Sequence, residues 1–314
     1  MLRYLVYRLL SAIPVLIVVS LVTFLIIFLV PGDPASEIAG PGASGDEIKR
    51  IREGLGLDRP FLEQMIAYYT RLAHGDLGQS ILLNRGVAEA MVERAPVTLS
   101  LTAAGLFMAI FVGMTLGVAA AVRQNTVVDQ TAMTIALLGL SVPDFWLGLV
   151  MIYLFAVSLG WLPTGGFVPI DQSFTGWLRS MAMPALALGL TQTGLIARIT
   201  RATMLEVLRQ DYVRTARAKG MPEWVVVGKH ALTNTLIPVV TVIGLIVGIL
   251  LGGSLVIEQV FSLPGVGRLI IGAILRRDFP VIQGGLLLTA SIFVMVNICV
   301  DIAYAYLDPR VRYD

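Results

Sequence analysis

Long apolar stretches are the feature that most constrains how this chain can fold. Of its 314 residues, 56% are hydrophobic and only 14% are charged, against about 25% charged in a typical soluble domain. A helix needs about 20 apolar residues to cross the hydrocarbon of a bilayer. Six stretches meet this length, namely residues 9–30, 97–122, 131–158, 181–200, 236–257 and 284–307. The sequence therefore predicts an all-α polytopic membrane protein with six transmembrane helices.

The pattern within these stretches favours helices over the strands of a β-barrel. Barrel strands alternate polar and apolar residues, whereas residues 239–247 are an almost unbroken apolar run. The first stretch, 9–30, follows Arg3 and Arg8 and so resembles a signal peptide. Its length of about 22 residues exceeds the 7–15 of a cleavable apolar core. We therefore expect an uncleaved first span.

The chain divides into four predicted regions. Short cytoplasmic loops are enriched in Lys and Arg, and the basic residues here favour both termini in the cytoplasm. The large external loop is expected to fold, with amphipathic helices at 47–54 and 61–73 and a turn at 75–78. The predicted regions are the N-terminus with the first span (1–30), the external loop (31–96), a five-span core that includes a cytoplasmic loop at 201–235 (97–307), and a cytoplasmic tail (308–314).

Pairs of glycines four residues apart occur within the spans. Small residues at this spacing let helix backbones approach closely. The pattern fits tight packing within one subunit and fits an interface between subunits equally well. The pairs are Gly113 with Gly117, Gly244 with Gly248, and Gly248 with Gly252.

The polar, basic segment 205–238 lies between the fourth and fifth spans and has a helical pattern. Gly220 can end a helix in a left-handed conformation, and Pro222 and Glu223 favour the start of another. We predict a second short helix over about 222–232, set at an angle to the first. Such a corner can dock in a groove of a partner protein, or it can lie on anionic lipid.

The same segment resembles the loop signature of the integral membrane subunits of binding-protein-dependent ABC importers. The general signature begins E-A-A, where this chain has R-T-A at 214–216, and it departs again at the I-x-L-P positions, where 230–233 reads H-A-L-T. The variant R-T-A-R-A-K-G, followed by H-A-L-x-N and I-P, is typical of dipeptide, oligopeptide, glutathione and nickel permeases, and it is intact here. The resemblance extends along nearly the whole chain, with P-G-D-P at 31–34, S-V-P at 141–143, L-P-G-V-G-R at 263–268 and R-D-F-P-V-I-Q at 277–283.

The resemblance implies the type I permease fold and a multi-subunit pump in the bacterial inner membrane. Its other parts would be a second, homologous permease subunit, two ATPase subunits that bind ATP and Mg, and an extracytoplasmic substrate-binding protein. No cofactor in this chain and no nucleic-acid partner is expected, while lipid surrounds the spans. The segment after Gly220 would be a coupling helix that enters a cleft on one ATPase. The implied coupling residues are Arg214, Thr215, Ala216, Arg217, Ala218, Lys219, Gly220, Met221, Pro222, Glu223, Trp224 and His230.

The sequence contains no recognisable nucleotide-binding, metal-binding or catalytic motif. A phosphate loop reads G-x-x-x-x-G-K-[ST], but the one Gly-Lys pair, Gly228-Lys229, is followed by His230. The single cysteine, Cys299, cannot form an intrachain disulfide, and no His/Cys cluster suggests a metal site. We therefore expect no catalytic residue and no ATPase activity in this chain.

Ionisable residues inside spans are costly and usually face protein or water. We predict a translocation pathway that includes Asp144, Trp146 and Glu258. Asp144 has two alternative roles, which are to face an interface with the partner subunit and to cap helix backbone that Pro143 leaves without partners. Asp301, near the end of the last span, is expected to be structural.

Peptides, either di- or oligopeptides or glutathione, are the expected substrate class, because the loop variant resembles that branch. Nickel or another small solute handled by the same architecture is the alternative. A secondary carrier is the rival class, but it would be expected to contain two homologous halves or inverted repeats. No such repeat is apparent in this sequence.

Overall fold

The structure is a computed structural model that describes residues 2–29, 33–40, 42–54, 56–80 and 82–307. The predicted tail, 308–314, and part of the P-G-D-P motif therefore lie outside the described residues. A two-stranded antiparallel ribbon, β1 (Gln79–Ser80) and β2 (Arg85–Gly86), places Ser80 opposite Arg85. The α-helices in chain order are α1 (Leu2–Leu29), α2 (Pro34–Ala39), α3 (Gly45–Gly54), α4 (Phe61–Ala73), α5 (Val87–Val122), α6 (Val127–Ser141), α7 (Asp144–Met151), α8 (Phe174–Leu208), α9 (Asp211–Ala218), α10 (Glu223–Val225), α11 (Leu232–Val260), α12 (Val266–Leu275) and α13 (Phe279–Leu307).

Two π-helical segments extend these helices. Ile152–Ser158 continues α7, and Val226–Ala231 joins α10 to α11, so that Glu223–Val260 is one uninterrupted helix of 38 residues. By length and composition, five straight helices in the described part of the chain can each cross a membrane. α6 together with α7 and its π-helical extension supplies a sixth crossing if the pair counts as one span.

The third predicted span is bent by 100° between Ser141 and Asp144. One continuous helix over 131–158 was expected, and the structure instead divides this span into α6 and α7. Pro143 has no N–H to donate, and it disfavours the helical conformation in the residue before it. Val142 accordingly adopts an extended conformation, with φ −94° and ψ 126°. The local signal was Pro143 with Asp144, but the apolar stretches before and after them together have the length of one span.

The chain forms two compact units, and the larger one, the central unit, contains Val97–Leu263 and the end of α13. Its innermost helix is α8, of whose most apolar window 72% is buried, against 11–39% for the other straight spans. Leu188 and Ile196 of α8 pack in one core with Leu250 of α11. Because protein rather than lipid surrounds α8, this helix tolerates more polar residues than the other spans.

Two glycines let α5 pack closely on α8 within this unit. A Cβ atom on Gly117 would lie 2.6 Å from Cβ of Thr200 and 2.7 Å from the Ala197 carbonyl oxygen. A Cβ atom on Gly113 would lie 2.8 Å from the Ile196 side chain. This first glycine pair therefore serves packing within one subunit, the first of the two alternatives.

The second unit, the flanking unit, contains Val6–Pro96 and Pro264–Val294. Its helices α3 and α4 confirm the two amphipathic helices expected in the external loop. Tyr68 of α4 is 8% exposed and packs with Phe24 of α1 and Leu287 of α13. The Tyr68 hydroxyl lies 3.2 Å from Thr23 Oγ1, and burial raises the pKa of Tyr68 above its ordinary value. The apolar face of α4 is thus covered by helices of its own unit.

Candidate functional site

The predicted coupling loop begins where α8 ends and α9 starts after a short break. Arg209 and Gln210 separate the two helices, and α9 then runs for eight residues. Val213 of α9 is fully buried and Ala216 is 7% exposed. They pack in one cluster with Met204 at the end of α8 and with Val226 of the following helix. This apolar face fixes the orientation of α9 in the central unit.

Gly220 ends α9 in a Schellman motif. Its φ is +74°, the left-handed region that only glycine enters without strain. The Met221 N–H donates to the Ala216 carbonyl over 3.3 Å, and the Gly220 N–H donates to the Arg217 carbonyl over 2.9 Å. These two bonds satisfy carbonyls at the helix end, as the sequence predicted for Gly220.

An ion pair spans the corner that Gly220 creates. Arg217 donates two hydrogen bonds to the Glu223 carboxylate, over 2.6 and 3.2 Å. Hydrogen bonding to Glu223 raises the pKa of Arg217 above its ordinary value, against a smaller effect of burial. Both side chains are substantially exposed, and such a pair contributes at most about 1 kcal/mol. Its main effect is to restrict the angle between α9 and α10.

The helix after the corner does not end near residue 232, so the expected short helix over 222–232 was wrong. Polar residues suggested a helix end there, but their side chains bond back to the same helix. Thr233 Oγ1 donates to the Lys229 carbonyl over 2.9 Å, and Thr235 Oγ1 donates to the Ala231 carbonyl over 2.9 Å. The corner is therefore one end of the continuous helix Glu223–Val260.

Two residues outside the predicted set attach α9 to this long helix. Asn234 Nδ2 donates to Tyr212 Oη over 2.8 Å, and Tyr212 Oη donates to the His230 carbonyl over 3.4 Å. Asn234 is the Asn of the H-A-L-x-N motif that carried the family resemblance, and Tyr212 lies two residues before the R-T-A-R-A-K-G motif. These positions in and beside the motifs were the signal that could have identified them.

The remaining predicted coupling residues differ in how exposed they are. Trp224 is 78% exposed, more than the indole rings of Trp146 and Trp161. His230 is only partly exposed, and its Nε2 atom is buried without a hydrogen-bond partner among the described residues. The structure therefore separates the predicted set into two groups. Ala216 and His230 face inward, and Met221 is partly buried. The outward-facing group contains Trp224 together with Arg214, Thr215, Ala218, Lys219, Pro222 and Glu223.

The predicted pathway residue Asp144 lies at the break between α6 and α7. Its Oδ1 atom accepts a hydrogen bond of 2.7 Å from the Phe145 N–H, which is the capping role considered above. Its Oδ2 atom approaches α11 so closely that a Cβ atom on Gly253 would lie 3.0 Å from it. Trp146, two residues further along α7, is 52% exposed. Asp144 thus combines a structural contact with a partly exposed carboxylate at the break.

The third predicted pathway residue, Glu258, is fully buried. Thr98 Oγ1 donates to its Oε1 atom over 2.6 Å, which joins the start of the second span to the end of the fifth within the central unit. Asp301, expected to be structural, is partly buried. The structure therefore does not place Glu258 on the same open surface as Trp146.

These features together define a class of protein, a polytopic permease with a helical corner exposed between its fourth and fifth spans. Residues 113–313 match the family described as binding-protein-dependent transport system inner membrane component, and residues 1–102 match the N-terminal part of the same kind of component. The chain belongs to this family, whose members are the permease subunits of ABC importers.

Similar proteins cover the full length of the chain. A Brucella abortus (strain 2308) protein, whose name assigns it to peptide transport as a permease, is 50% identical over 98% of both chains. A dipeptide transport system permease protein of Alkalihalophilus pseudofirmus is 45% identical, and so is a glutathione transport system permease protein of Escherichia coli (strain K12), each over 100% of both chains. Among solved structures, a chain of the inward-facing MetNI methionine ABC transporter matches the fold with a TM-score of 0.56, at 20% identity over 69% of this chain and 96% of that chain.

Proposed function

We propose that this chain is one of two permease subunits of an ATP-driven importer of di- or oligopeptides or glutathione. The names of the full-length relatives support the substrate class, because peptide, dipeptide and glutathione transport recur among them. The other subunits would be a second permease, two ATPases and an extracytoplasmic binding protein. The basic short loops favour an orientation with both termini in the cytoplasm, and the family description supports the inner membrane.

ATP hydrolysis is assigned to the partner subunits. The sequence contains no G-x-x-x-x-G-K-[ST] motif, which binds nucleotide phosphates through backbone N–H groups and a lysine. The described residues include no group of three or more His, Cys, Asp or Glu side chains that could hold a metal ion. In the proposed importer the ATPases bind ATP and Mg, and this chain responds to them mechanically.

The exposed corner is the single observation that carries the coupling role. Trp224 projects from the end of a helix that continues to Val260, and α9 is fixed beside it by the buried Val213 and by the Tyr212–Asn234 hydrogen bond. An exposed aromatic residue on a rigid helical corner suits a groove on another protein. Displacement of the corner by a partner would be transmitted along the long helix as a rigid body.

The translocation pathway would pass the break between α6 and α7. Interrupted helices at membrane depth occur where the backbone is buried in protein or lines a cavity. The partly exposed Asp144 and Trp146 lie at such a break. Glu258 would take part only in a conformation that uncovers it, since it is fully buried here.

Uptake of labelled dipeptide, glutathione and nickel tests this function in cells that lack the gene. Wild type, Trp224→Ala and a matched control, Trp161→Ala, are compared at equal membrane levels. Trp161 is also an exposed indole, at 61%, but it lies in the loop between α7 and α8. We expect peptide or glutathione uptake to be restored by wild type and Trp161→Ala and to be lost with Trp224→Ala. Restoration of nickel uptake alone would contradict the substrate class, and full activity of Trp224→Ala would contradict the coupling role.

A further inference from the structure

A cleft of about 440 Å³ lies in the flanking unit, away from the coupling corner along the chain. Its walls come from Leu82 and Leu83 after β1, from the first turns of α5 and from α12. Three arginines line it, namely Arg94, Arg268 and Arg276. Its volume falls in the range of about 300–1,000 Å³ that is usual for small-molecule sites.

The lining of this cleft carries an excess of positive charge. Its only acidic residue is Asp278, which is 2% exposed and accepts hydrogen bonds from Ser80 Oγ over 2.6 Å and from the Leu82 N–H over 3.3 Å. Glu93, the neighbour of Arg94 in sequence, pairs with Arg85 over 2.6 Å instead. Within the described residues, neither Arg94 nor Arg276 forms an ion pair.

Asp278 does not neutralise Arg94 or Arg276. Its Oδ1 atom is buried and has no hydrogen-bond partner among the described residues, although both guanidinium groups line the same cleft. A buried acceptor without a partner is uncommon in folded proteins. Asp278 instead fixes the Ser80–Leu82 wall of the cleft. The charges of Arg94 and Arg276 therefore remain available to a ligand.

We propose that this cleft binds the C-terminal carboxylate of a peptide before the peptide enters the translocation pathway. A guanidinium group offers paired donors that match a carboxylate, and like-charged arginines in one cleft are stabilised by a bound anion. Leu82, Leu269 and Val281 would contact the last side chain of the peptide. This inference rests on the proposed import of peptides and adds a site that reads one end of the substrate.

Direct binding to the purified importer complex in nanodiscs, without its binding protein, tests the site. Saturation-transfer NMR gives the Kd of trialanine and of trialanine amide. The test variant combines Arg94→Ala with Arg276→Ala, and the matched control combines Arg50→Ala with Arg59→Ala, two exposed arginines of the same unit outside the cleft. We expect the Kd of trialanine to rise about tenfold or more in the test variant and to be unchanged in the control.

Trialanine amide should bind weakly to wild type and be insensitive to the test variant, because it lacks the carboxylate. Equal Kd values for the acid and the amide in wild type, an unchanged Kd in the test variant, or absence of binding to wild type would overturn the inference. Stronger displacement of trialanine by glycerol phosphate than by acetate would assign the cleft to lipid phosphate and would also overturn it. Cellular uptake tests the proposed function separately. If the chain imports peptides but the cleft does not bind the carboxylate, the proposed function stands and only the inference about the cleft is contradicted.

Discussion

Arg201 of α8 donates two hydrogen bonds, of 2.6 and 2.7 Å, to the carboxylate of Asp129 in the first turn of α6. Asp129 is 4% exposed and also accepts a bond of 2.9 Å from the Asn125 N–H. The pair ties the start of the bent span to the part of α8 that leads into α9. It therefore connects the helical break at Asp144 with the coupling corner through two rigid helices.

Removal of the Asp129 carboxylate should destabilise the protein. Asp129→Ala leaves Arg201 without its partner, and because the Arg201 side chain is 27% exposed we expect the loss of about 1.5–3 kcal/mol that is typical of hydrogen bonds to a charged group. We expect a clear fall in the thermal unfolding temperature of the purified complex. Asp211→Ala serves as the control, because the Asp211–Arg214 pair is exposed and 3.6 Å long. Equal unfolding temperatures for the two variants would show that the Asp129–Arg201 pair contributes no more than a surface pair.

The left-handed conformation at Gly220 predicts a specific defect in coupling. Gly220→Ala forces a Cβ atom into a φ of +74°, at a cost of about 1–2 kcal/mol, and should change the angle of the corner. Gly228→Ala is the matched control, since both glycines have open space for a Cβ atom and Gly228, in the π-helical segment, does not have a positive φ. We expect uptake to fall with Gly220→Ala at a normal membrane level and to persist with Gly228→Ala. Similar uptake by both variants would mean that the corner angle does not matter.

Close packing of α5 on α8 predicts that Gly117 cannot be enlarged. Gly117→Ala places a Cβ atom against Thr200 and the Ala197 carbonyl, and overpacking of this kind costs about 1–3 kcal/mol. Gly252→Ala adds the same methyl group to a span where nothing lies within 4 Å. The thermal unfolding temperature should fall with Gly117→Ala and stay unchanged with Gly252→Ala. A complex with Gly117→Ala that is as stable as wild type would contradict the packing described here.

Asp144 allows its structural and transport roles to be separated. In Asp144→Asn the side-chain oxygen can still accept the Phe145 N–H, so folding should be preserved while the negative charge is lost. We expect normal unfolding temperature with reduced peptide uptake, and Asp171→Asn, an exposed change outside the spans, should leave both unchanged. If Asp144→Asn transports at the wild-type rate, the carboxylate serves only to cap the helix.

The sequence predicted those features that depend on local composition or local backbone chemistry. The two amphipathic helices of the external loop and the helix end at Gly220 follow from periodicity and from the conformational freedom of glycine, and the structure contains them at the expected places. The bend at Pro143 was not predicted, because a proline is also tolerated inside a continuous membrane-spanning helix. The helix through Thr233 escaped prediction because polar side chains can bond to their own helix as well as to water.

Contacts between residues that are distant in the chain could not be predicted from the sequence. Asp129 and Arg201 are 72 residues apart, and Ser80 and Asp278 are 198 residues apart. Neither pair has a local pattern, because each contact depends on how separate helices pack. Of the predicted coupling residues, burial of Ala216 and partial burial of His230 likewise followed from packing of α9 against its neighbours.

Site-specific cross-linking shows whether the corner at Trp224 contacts an ATPase subunit. The chain has one cysteine, so Cys299→Ser gives a background for Trp224→Cys and, as control, Trp161→Cys. A thiol-to-amine cross-linker is added to the intact complex with and without ATP. We expect a Trp224→Cys product that contains an ATPase subunit and no such product from Trp161→Cys. An ATPase cross-link that forms from position 161 and not from position 224 would contradict this contact.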